Sequence, residues 1–424
     1  MRDDTVAKHK LWAVSAMAGI TGIIGALALA ASPAWAATVT AGTWSDLRSA
    51  FSSAANGADT TITLTADLTN TAGQHLTVPG NGGSVGAHVI LDLNGHNLTI
   101  DASPSPQGSP NAGAGIGVMA GATLTVQDSV GTGTLTTNGD EVGAGIGLGY
   151  YFDNGSGYVA IDTVPSEAAI GGDIIINSGT VIATGGDYAN GFGGAYYAGG
   201  GSITINGGTV KAYGGIGSPG IGTSAYAQYE EFNLVPTSVA INGGTIFAYG
   251  GVPGGGGDGS SPGIGRAYDT DPAVPVEDIT VTGCANITAV GGTGTDPLDP
   301  TSEWAGGSPG IGSGSDGGTT GQVAGGLTLD GVAPAGAPTS VSNGTDGYSL
   351  GGIGSAITYT GNTAYSLAVT TSTPAGKSAG GTFQLTCPGL PDTGVSQGSF
   401  IAGGVGALAA IVGAGILIAR RRLA

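Results

Sequence analysis

The chain has 424 residues, of which 87 are glycine and only 9% are charged, and its formal net charge is −19. The acidic balance excludes a nucleic-acid binder, which needs a basic surface, and the glycine content excludes a helical bundle. Glycine does not recur at every third residue as in collagen, and 40% hydrophobic residues favour a glycine-punctuated β protein over a disordered chain.

The first 36 residues have the pattern of a secretory signal peptide. Lys8 and Lys10 form a basic region, and a long apolar run follows over 11–31. Ala34-Trp35-Ala36 is a small–x–small cleavage site, so the pattern predicts cleavage between Ala36 and Ala37. The alternative is an uncleaved membrane anchor.

The body opens with a helix followed by strands. Apolar residues at Trp44, Leu47 and Phe51 predict a short amphipathic helix over 44–51. Residues 61–65 alternate as a strand, and residues 89–100 predict two strands around an Asn-Gly turn.

The body is repetitive. A strand–turn–strand element recurs at 171–186, 201–215, 237–251 and 277–292, with copies about 30 to 40 residues apart. In one copy, 203–205 predicts a strand, Asn206-Gly207-Gly208 a turn and 209–210 a second strand. Such a unit buries its apolar face only when it stacks on copies of itself. A second element, in which the lone Ile predicts one core side chain at a tight corner, is Gly-Ile-Gly at 115–117, 145–147, 220–222, 263–265, 310–312 and 352–354.

The opening helix, the first strands and the glycine-rich repeats together resemble pectate-lyase-like right-handed parallel β-helix proteins over about 40–355. The resemblance implies an all-β solenoid for 37–355 with a short N-terminal capping helix, and an array of β-sandwiches is the competing fold. The repeats fade over 356–389, which predicts terminal strands and a Ser/Thr/Gly-rich spacer.

The C-terminus combines three features. The pentapeptide Leu390, Pro391, Asp392, Thr393, Gly394 precedes an apolar stretch over 400–419, long enough to span a bilayer, and then three arginines at 420–422. Residues 390–394 with the span and tail at 395–424 resemble the LPxTG sorting signal of Gram-positive surface proteins. The alternative is a plain C-terminal membrane anchor.

The resemblance to a sorting signal implies that sortase attacks the Thr393 carbonyl, releases Gly394 and joins Thr393 to peptidoglycan. The chain would then be secreted and wall-anchored on the extracellular face, contacting the membrane only before sorting. Processing at both ends leaves 27 acidic and four basic residues, a net charge of −23 that keeps the surface soluble and repels polyanions.

Residue patterns for catalysis are weak, and no catalytic residues are predicted. The motifs of polygalacturonase-like hydrolases are absent as a set, and Gly95-His96-Asn97 is the nearest fragment, for which the alternative is that His96 is an exposed turn residue. Asp92 and Asp101 lie in the same strand–turn–strand, which by itself does not indicate acid–base pairing. No cofactor and no metal cluster are predicted. Ca²⁺ is considered only for an acidic loop, whose carboxylates are Asp296, Asp299 and Glu303.

Aromatic residues between the repeats are a stronger functional signal. Rings beside acidic and Asn side chains are surfaces on which neutral sugars pack, and insertions at equivalent points of a solenoid lie on one side. Phe192 belongs to the same aromatic groups, and the alternative is that the rings fold back to cover the coil. The candidate glycan-binding residues are Tyr150, Tyr151, Tyr188, Tyr196, Tyr197, Tyr226 and Tyr229.

Two cysteines are present, Cys284 and Cys387, and an exported chain allows them to pair or to remain free buried thiols. The leading functional prediction is a non-enzymatic adhesin or carbohydrate-binding module whose partners are sortase, peptidoglycan and host or environmental glycans. The alternatives are a wall-attached polysaccharide lyase or glycosidase and a structural stalk.

Overall fold

The computed structural model describes residues 36–70, 73–81, 84–103, 113–149, 151–153, 158–160, 170–224, 237–254, 259–267, 278–294, 307–314, 326–341, 356–361, 366–372 and 380–387. The chain divides into two units, Met1–Trp35 and Ala36–Ala424. The first unit, with most of the predicted signal peptide, lies outside the described residues, as do the sorting motif at 390–394 and the apolar stretch at 400–419. Within the described ranges, no helix is long and apolar enough to cross a membrane.

The described chain is built from β-strands and one helix, α1 (Trp44–Ser52). The strands are β1 (Ala37–Ala41), β2 (Asp59–Leu64), β3 (Leu68–Asn70), β4 (Leu76–Val78), β5 (His88–Asp92), β6 (Asn97–Asp101), β7 (Ile116–Val118), β8 (Thr123–Gln127), β9 (Thr134–Asn138), β10 (Ile146–Gly147), β11 (Tyr151–Asp153), β12 (Tyr158–Ala160), β13 (Asp173–Ile176), β14 (Thr180–Thr184), β15 (Phe192–Gly193), β16 (Ile203–Ile205), β17 (Thr209–Tyr213), β18 (Ile221–Thr223), β19 (Val239–Ile241), β20 (Gly244–Tyr249), β21 (Ile264–Arg266), β22 (Ile279–Val281), β23 (Ala285–Val290), β24 (Ile311–Ser313), β25 (Leu327–Leu329), β26 (Ile357–Tyr359), β27 (Ala368–Ser372) and β28 (Thr382–Thr386).

These strands form three large sheets that the chain visits in turn. Sheet 1 has the order β1-β2-β5-β8-β13-β16-β19-β22-β25-β26, sheet 2 the order β3-β6-β9-β14-β17-β20-β23-β28-β27, and sheet 3 the order β4-β7-β10-β15-β18-β21-β24. Pairing is parallel except at β28, which pairs antiparallel with β23 and β27, and in the separate hairpin β11-β12. We call one passage through sheets 1, 2 and 3 a coil. This all-β arrangement is compatible with a β-helix solenoid.

The predicted helix is present, and it packs beside the first strands. Thr43 is its N-cap and accepts a hydrogen bond from the Asp46 backbone N–H at 3.1 Å. Leu47 and Phe51 are fully buried in the same core cluster as the strands. The helix therefore satisfies its own N-terminus with a polar cap while its apolar stripe joins the core of the first coil.

The core follows the predicted alternation along each strand. In β16, Ile203 and Ile205 are buried while Thr204 between them is half-buried. The isoleucines of the Gly-Ile-Gly element differ from the expectation of a corner, because they lie in the short strands of sheet 3, as Ile221 does in β18. Phe192 takes the same place in β15, so this aromatic residue is a core residue rather than part of an exposed insertion. The copy at 352–354 lies outside the described residues.

Glycines align in register through sheet 3. Gly193, Gly222 and Gly265 are neighbours on successive strands, and each has a φ between 127° and 136°. A Cβ at Gly222 would overlap the carbonyl oxygen of Gly265, and a Cβ at Gly193 would overlap that of Gly222. Any side chain at these positions would therefore push neighbouring coils apart.

A polar ladder connects successive coils at the turns between sheets 1 and 2. Asn206 donates from Nδ2 to Oδ1 of Asn177 at 2.8 Å, and Asn242 donates to Oδ1 of Asn206 at 2.8 Å. In the coil that follows, the Thr282 hydroxyl donates to Oδ1 of Asn242. These exposed amides therefore bond one coil to the next and help to hold the register of the stack.

The C-terminal strands cover one edge of the described sheets. The hairpin β27-β28 pairs antiparallel with β23, whereas β26 continues sheet 1 in parallel. Cys284 precedes β23, Cys387 follows β28, and the two form a disulfide with a Cα–Cα distance of 5.3 Å. The bond ties the last strand of sheet 2 to the preceding coil across 103 residues.

Candidate functional site

Two turns on either side of Phe192 hold three of the predicted tyrosines. In the first turn, Ala189 donates its backbone N–H to the Gly186 carbonyl at 3.1 Å, and Asp187 and Tyr188 are the central residues. Tyr188 has a φ of 59°, in the left-handed region that favours glycine. The turn therefore places a bulky aromatic residue where the backbone is strained.

The second turn repeats this geometry. Ala198 donates to the Ala195 carbonyl at 2.9 Å, and Tyr197, the third residue of the turn, has a φ of 60°. Left-handed conformations of bulky residues cost on the order of 1–3 kcal/mol and persist where the surroundings enforce them. Apart from these two tyrosines, the described non-glycine residues with positive φ comprise only Asn94, of a type that tolerates this conformation.

The three rings pack against one another. The ring centroids of Tyr188 and Tyr196 lie 5.3 Å apart, and those of Tyr196 and Tyr197 lie 4.1 Å apart. The planes are tilted by 43° and 56°, and the Tyr196 hydroxyl donates to the Tyr197 hydroxyl at 3.3 Å. All three residues are half-buried. We call Tyr188, Tyr196 and Tyr197 the tyrosine cluster.

Two acidic residues lie in the turn of Tyr188 and in the equivalent turn of the preceding coil. The register of sheets 2 and 3 places Glu141 and Asp187 at equivalent turn positions of adjacent coils. Desolvation by burial raises the pKa of Asp187 to about 6, and repulsion from the Glu141 carboxylate adds to the rise. Asp187 as a whole residue is exposed, so solvent screening weakens both causes, but both act in the same direction.

The side chains of the remaining predicted tyrosines are outside the part of the chain that the structure describes. Tyr150, Tyr226 and Tyr229 lie outside the described residues, as do the signal-peptide and sorting residues other than Ala36 and Ala37, the latter of which begins β1. Tyr151 begins β11, but its side chain is not among those described.

The structure also contains a stacked pair of tyrosines that the sequence analysis did not identify. Tyr213 and Tyr249 are neighbours in sheet 2, with ring centroids 5.1 Å apart and planes within 5° of parallel. Burial raises the pKa of Tyr249 to about 12, with a further contribution from Tyr213. Because each ring covers a face of the other, this pair offers less ring face to a ligand than the tilted tyrosine cluster.

The fragment around His96 has structural contacts. Asp92 is buried and accepts backbone N–H bonds from Asn94 at 2.9 Å and Ser129 at 3.0 Å, while Asp101 accepts from Ser103. His96 lies 3.3 Å from Asp67 through Nδ1. Asp92 and Asp101 accept hydrogen bonds from backbone N–H groups in turns, and these bonds account for the two carboxylates without any acid–base role.

Coil stacking also brings together residues that the sequence separates. His88 contacts Asp59 through Nδ1 at 2.9 Å and the Thr125 hydroxyl through Nε2 at 2.9 Å. The three residues come from β2, β5 and β8, and Thr125 is 5% exposed. The alternating pattern of the strands predicts that all three side chains point outward, but only the register reveals that they meet.

Within the part of the chain that the structure describes, no group of three His, Cys, Asp or Glu side chains lies close enough together to hold a metal ion. The loop considered for Ca²⁺, with Asp296, Asp299 and Glu303, lies outside the described residues, so that expectation stays a prediction.

No family model, curated protein or solved structure matches this chain.

Proposed function

We propose that this chain is a secreted, wall-anchored surface protein whose body is a right-handed parallel β-helix and binds glycans through the tyrosine cluster. The observation that carries the binding proposal is the pair of left-handed tyrosines, Tyr188 and Tyr197, whose rings both pack with Tyr196. Strained residues gather at functional sites, because a fold retains strain where it positions a ligand contact. Parallel crossover connections are right-handed in nearly all proteins, which supports the handedness.

The anchoring proposal rests on the sequence at both ends of the chain. Strand β1 begins at Ala37, where cleavage of the signal peptide would leave the new N-terminus. At the other end, Leu390 to Gly394 precede the apolar stretch and the arginines, an arrangement suited to attack by sortase at Thr393. Peptidoglycan is therefore the proposed covalent partner, and the negative surface disfavours nucleic acid as a partner.

Anchoring is tested by expressing the chain in a sortase-positive Gram-positive host, as wild type and as Thr393→Ala. Wild-type protein is expected in the wall fraction, released by muramidase as a ladder of peptidoglycan-linked species. The variant is expected in the membrane fraction without the ladder. A wall ladder that persists in the variant would refute Thr393 as the attachment residue.

Glycan binding is tested with the full-length chain on an array of polysaccharides, reading both retained protein and remaining glycan. Retention on intact glycan that falls about tenfold in Tyr196→Ala supports the binding module, since packing on an aromatic ring contributes about 0.5–1.5 kcal/mol beyond the area it buries and about 1.4 kcal/mol is tenfold in affinity. Undiminished retention in Tyr196→Ala rules out the tyrosine cluster as the site.

A second candidate function is hydrolysis of the bound glycan. It is favoured by one observation, the placement of Asp187 and Glu141 at equivalent turn positions of adjacent coils, because glycosidases use a pair of neighbouring carboxyl groups. New reducing ends that disappear in Asp187→Asn would establish this activity. Retention without product favours the adhesin, and neither retention nor product favours the structural stalk.

A further inference from the structure

The tyrosine cluster has an acidic side. Asp187 and Tyr188 are the two central residues of one turn, and Glu141 occupies the equivalent position of the preceding coil. Two carboxylates therefore stack within a coil spacing of each other, next to rings that are half-buried. A neutral sugar could pack on the rings and donate hydroxyl hydrogen bonds to one carboxylate, whereas two carboxylates at this spacing also concentrate negative charge.

Positive charge is scarce around this acidic side. The turns at 140–143, 186–189 and 195–198 contain no basic residue. Among the described residues the basic side chains are Arg48 on the helix, Lys211 within β17 and Arg266, which is buried in β21. None of these three belongs to the turns, so the turns themselves contribute no cationic side chain to the carboxylate pair.

We propose that the tyrosine cluster recognises a positively charged amine, so that its ligand is an amino sugar with a free ammonium group. This inference rests on the proposed glycan-binding function and names its ligand class. Tyrosine faces attract cations that lie within about 6 Å of the ring centroid. The ammonium would approach the rings from the side of Asp187 and Glu141, while the sugar ring packs on tyrosine.

The net negative charge of the whole chain also favours a cationic ligand. The processed chain has a net charge of −23, which raises the local concentration of cationic ligands and lowers that of anionic ones. N-acetylation of the sugar removes the ammonium charge and leaves the ring and its linkage in place. Sugars that differ only at this group therefore separate charge recognition from ring stacking.

The test measures binding of three β-1,4-linked oligosaccharides of equal length to the full-length chain at pH 6.5. They are built from glucosamine, N-acetylglucosamine and glucose. We expect the glucosamine oligomer to bind at least about tenfold more tightly than the other two, with an affinity that falls as salt is raised. Asp187→Asn is expected to remove most of this difference, Glu141→Gln part of it, and Tyr196→Ala the binding of all three.

Asp187→Asn is a suitable variant because it removes a like-charge repulsion from Glu141 and leaves the turn backbone unchanged. Asp173→Asn on β13 is the matched control, since it removes the same charge from an exposed position on sheet 1. A similar loss in Asp173→Asn would overturn the proposal, because the net charge alone would then explain the preference. Equal affinity for the three oligomers would overturn the ammonium site while leaving the glycan-binding proposal intact. Absence of binding by all three would remove both.

Discussion

Tyr188 occupies in one coil the turn position that Gly217 occupies in the next. The two residues are related by the register of β14 with β17 and of β15 with β18, and each is the third residue of a turn closed by a 3.1 Å backbone hydrogen bond. Their φ angles are 59° and 63°. The chain therefore builds the same left-handed turn with glycine in one coil and with Tyr188 of the tyrosine cluster in the adjacent coil.

The first prediction concerns the strain at Tyr188. Glycine adopts a φ of 59° without a steric penalty, whereas alanine has the same restriction as tyrosine but no ring. Tyr188→Gly is therefore expected to be about 1 kcal/mol more stable than Tyr188→Ala, and both are expected to lose glycan binding. Denaturant unfolding of the two variants measures the difference. Equal stability of the two would show that the left-handed conformation is not enforced in the folded chain.

The second prediction concerns pH and Asp187. Its folded pKa of about 6 lies above the unfolded value of 3.8, so between these values the folded chain holds a proton that the unfolded chain has lost. Stability from this group is therefore present at low pH and is lost as pH rises from about 4 to 6. A pKa of Asp187 that is about two higher in the folded chain corresponds to about 2.7 kcal/mol of stability. Solvent screening at an exposed residue reduces this contribution to roughly 1 kcal/mol.

We expect Asp187→Asn to be more stable than wild type by that amount at pH 7, with the gain vanishing near pH 4. Thermal unfolding across this range measures it. Glu141→Gln, which removes the repulsion but not the desolvation, should reproduce part of the gain. A gain that is the same at pH 4 and pH 7 would contradict the raised pKa.

The third prediction concerns the glycines of sheet 3. In Gly222→Ala the new methyl group overlaps the carbonyl oxygen of Gly265, at a φ of 136° that alanine rarely adopts. We expect a loss of about 3 kcal/mol or more in the free energy of unfolding. Gly326→Ala is the matched control, because a Cβ there meets no atom within 4 Å and its φ is not positive. Comparable losses in the two variants would show that the close approach of coils is not the cause.

The fourth prediction concerns the Cys284–Cys387 disulfide. A bond that closes a loop of about 100 residues contributes about 4.7 kcal/mol in the chain-entropy model, and measured effects are commonly 2–5 kcal/mol. Replacing both cysteines by serine is expected to lower the free energy of unfolding by about 2–5 kcal/mol and to speed amide hydrogen exchange in β27 and β28. A reducing agent should have the same effect on wild type and none on the double variant. If the double variant were as stable as wild type, the disulfide would be dispensable for the C-terminal hairpin.

Much of the fold could be predicted from local patterns. The alternation in 203–205, the turn at 206–208 and the burial of the isoleucines in the Gly-Ile-Gly element follow from side-chain size and period, because one repeat shows which face is buried. That these isoleucines lie in strands rather than at corners was not predicted. The helix at the start of the body was predicted within a residue at its C-terminal end. These features depend on neighbours in sequence, so the sequence alone is sufficient for them.

The geometry of the candidate site depends on distances between residues of different coils, and the local sequence pattern does not contain these distances. The offset between stacked residues is 29 from Thr184 to Tyr213 but 36 from Tyr213 to Tyr249, because connections between sheets differ in length. The sequence therefore identified Tyr188, Tyr196 and Tyr197 as exposed aromatics, but not their contacts, the left-handed turns or the pairing of Glu141 with Asp187. Only the tertiary structure decided these, since parallel stacking converts a variable separation along the chain into a fixed spacing between coils.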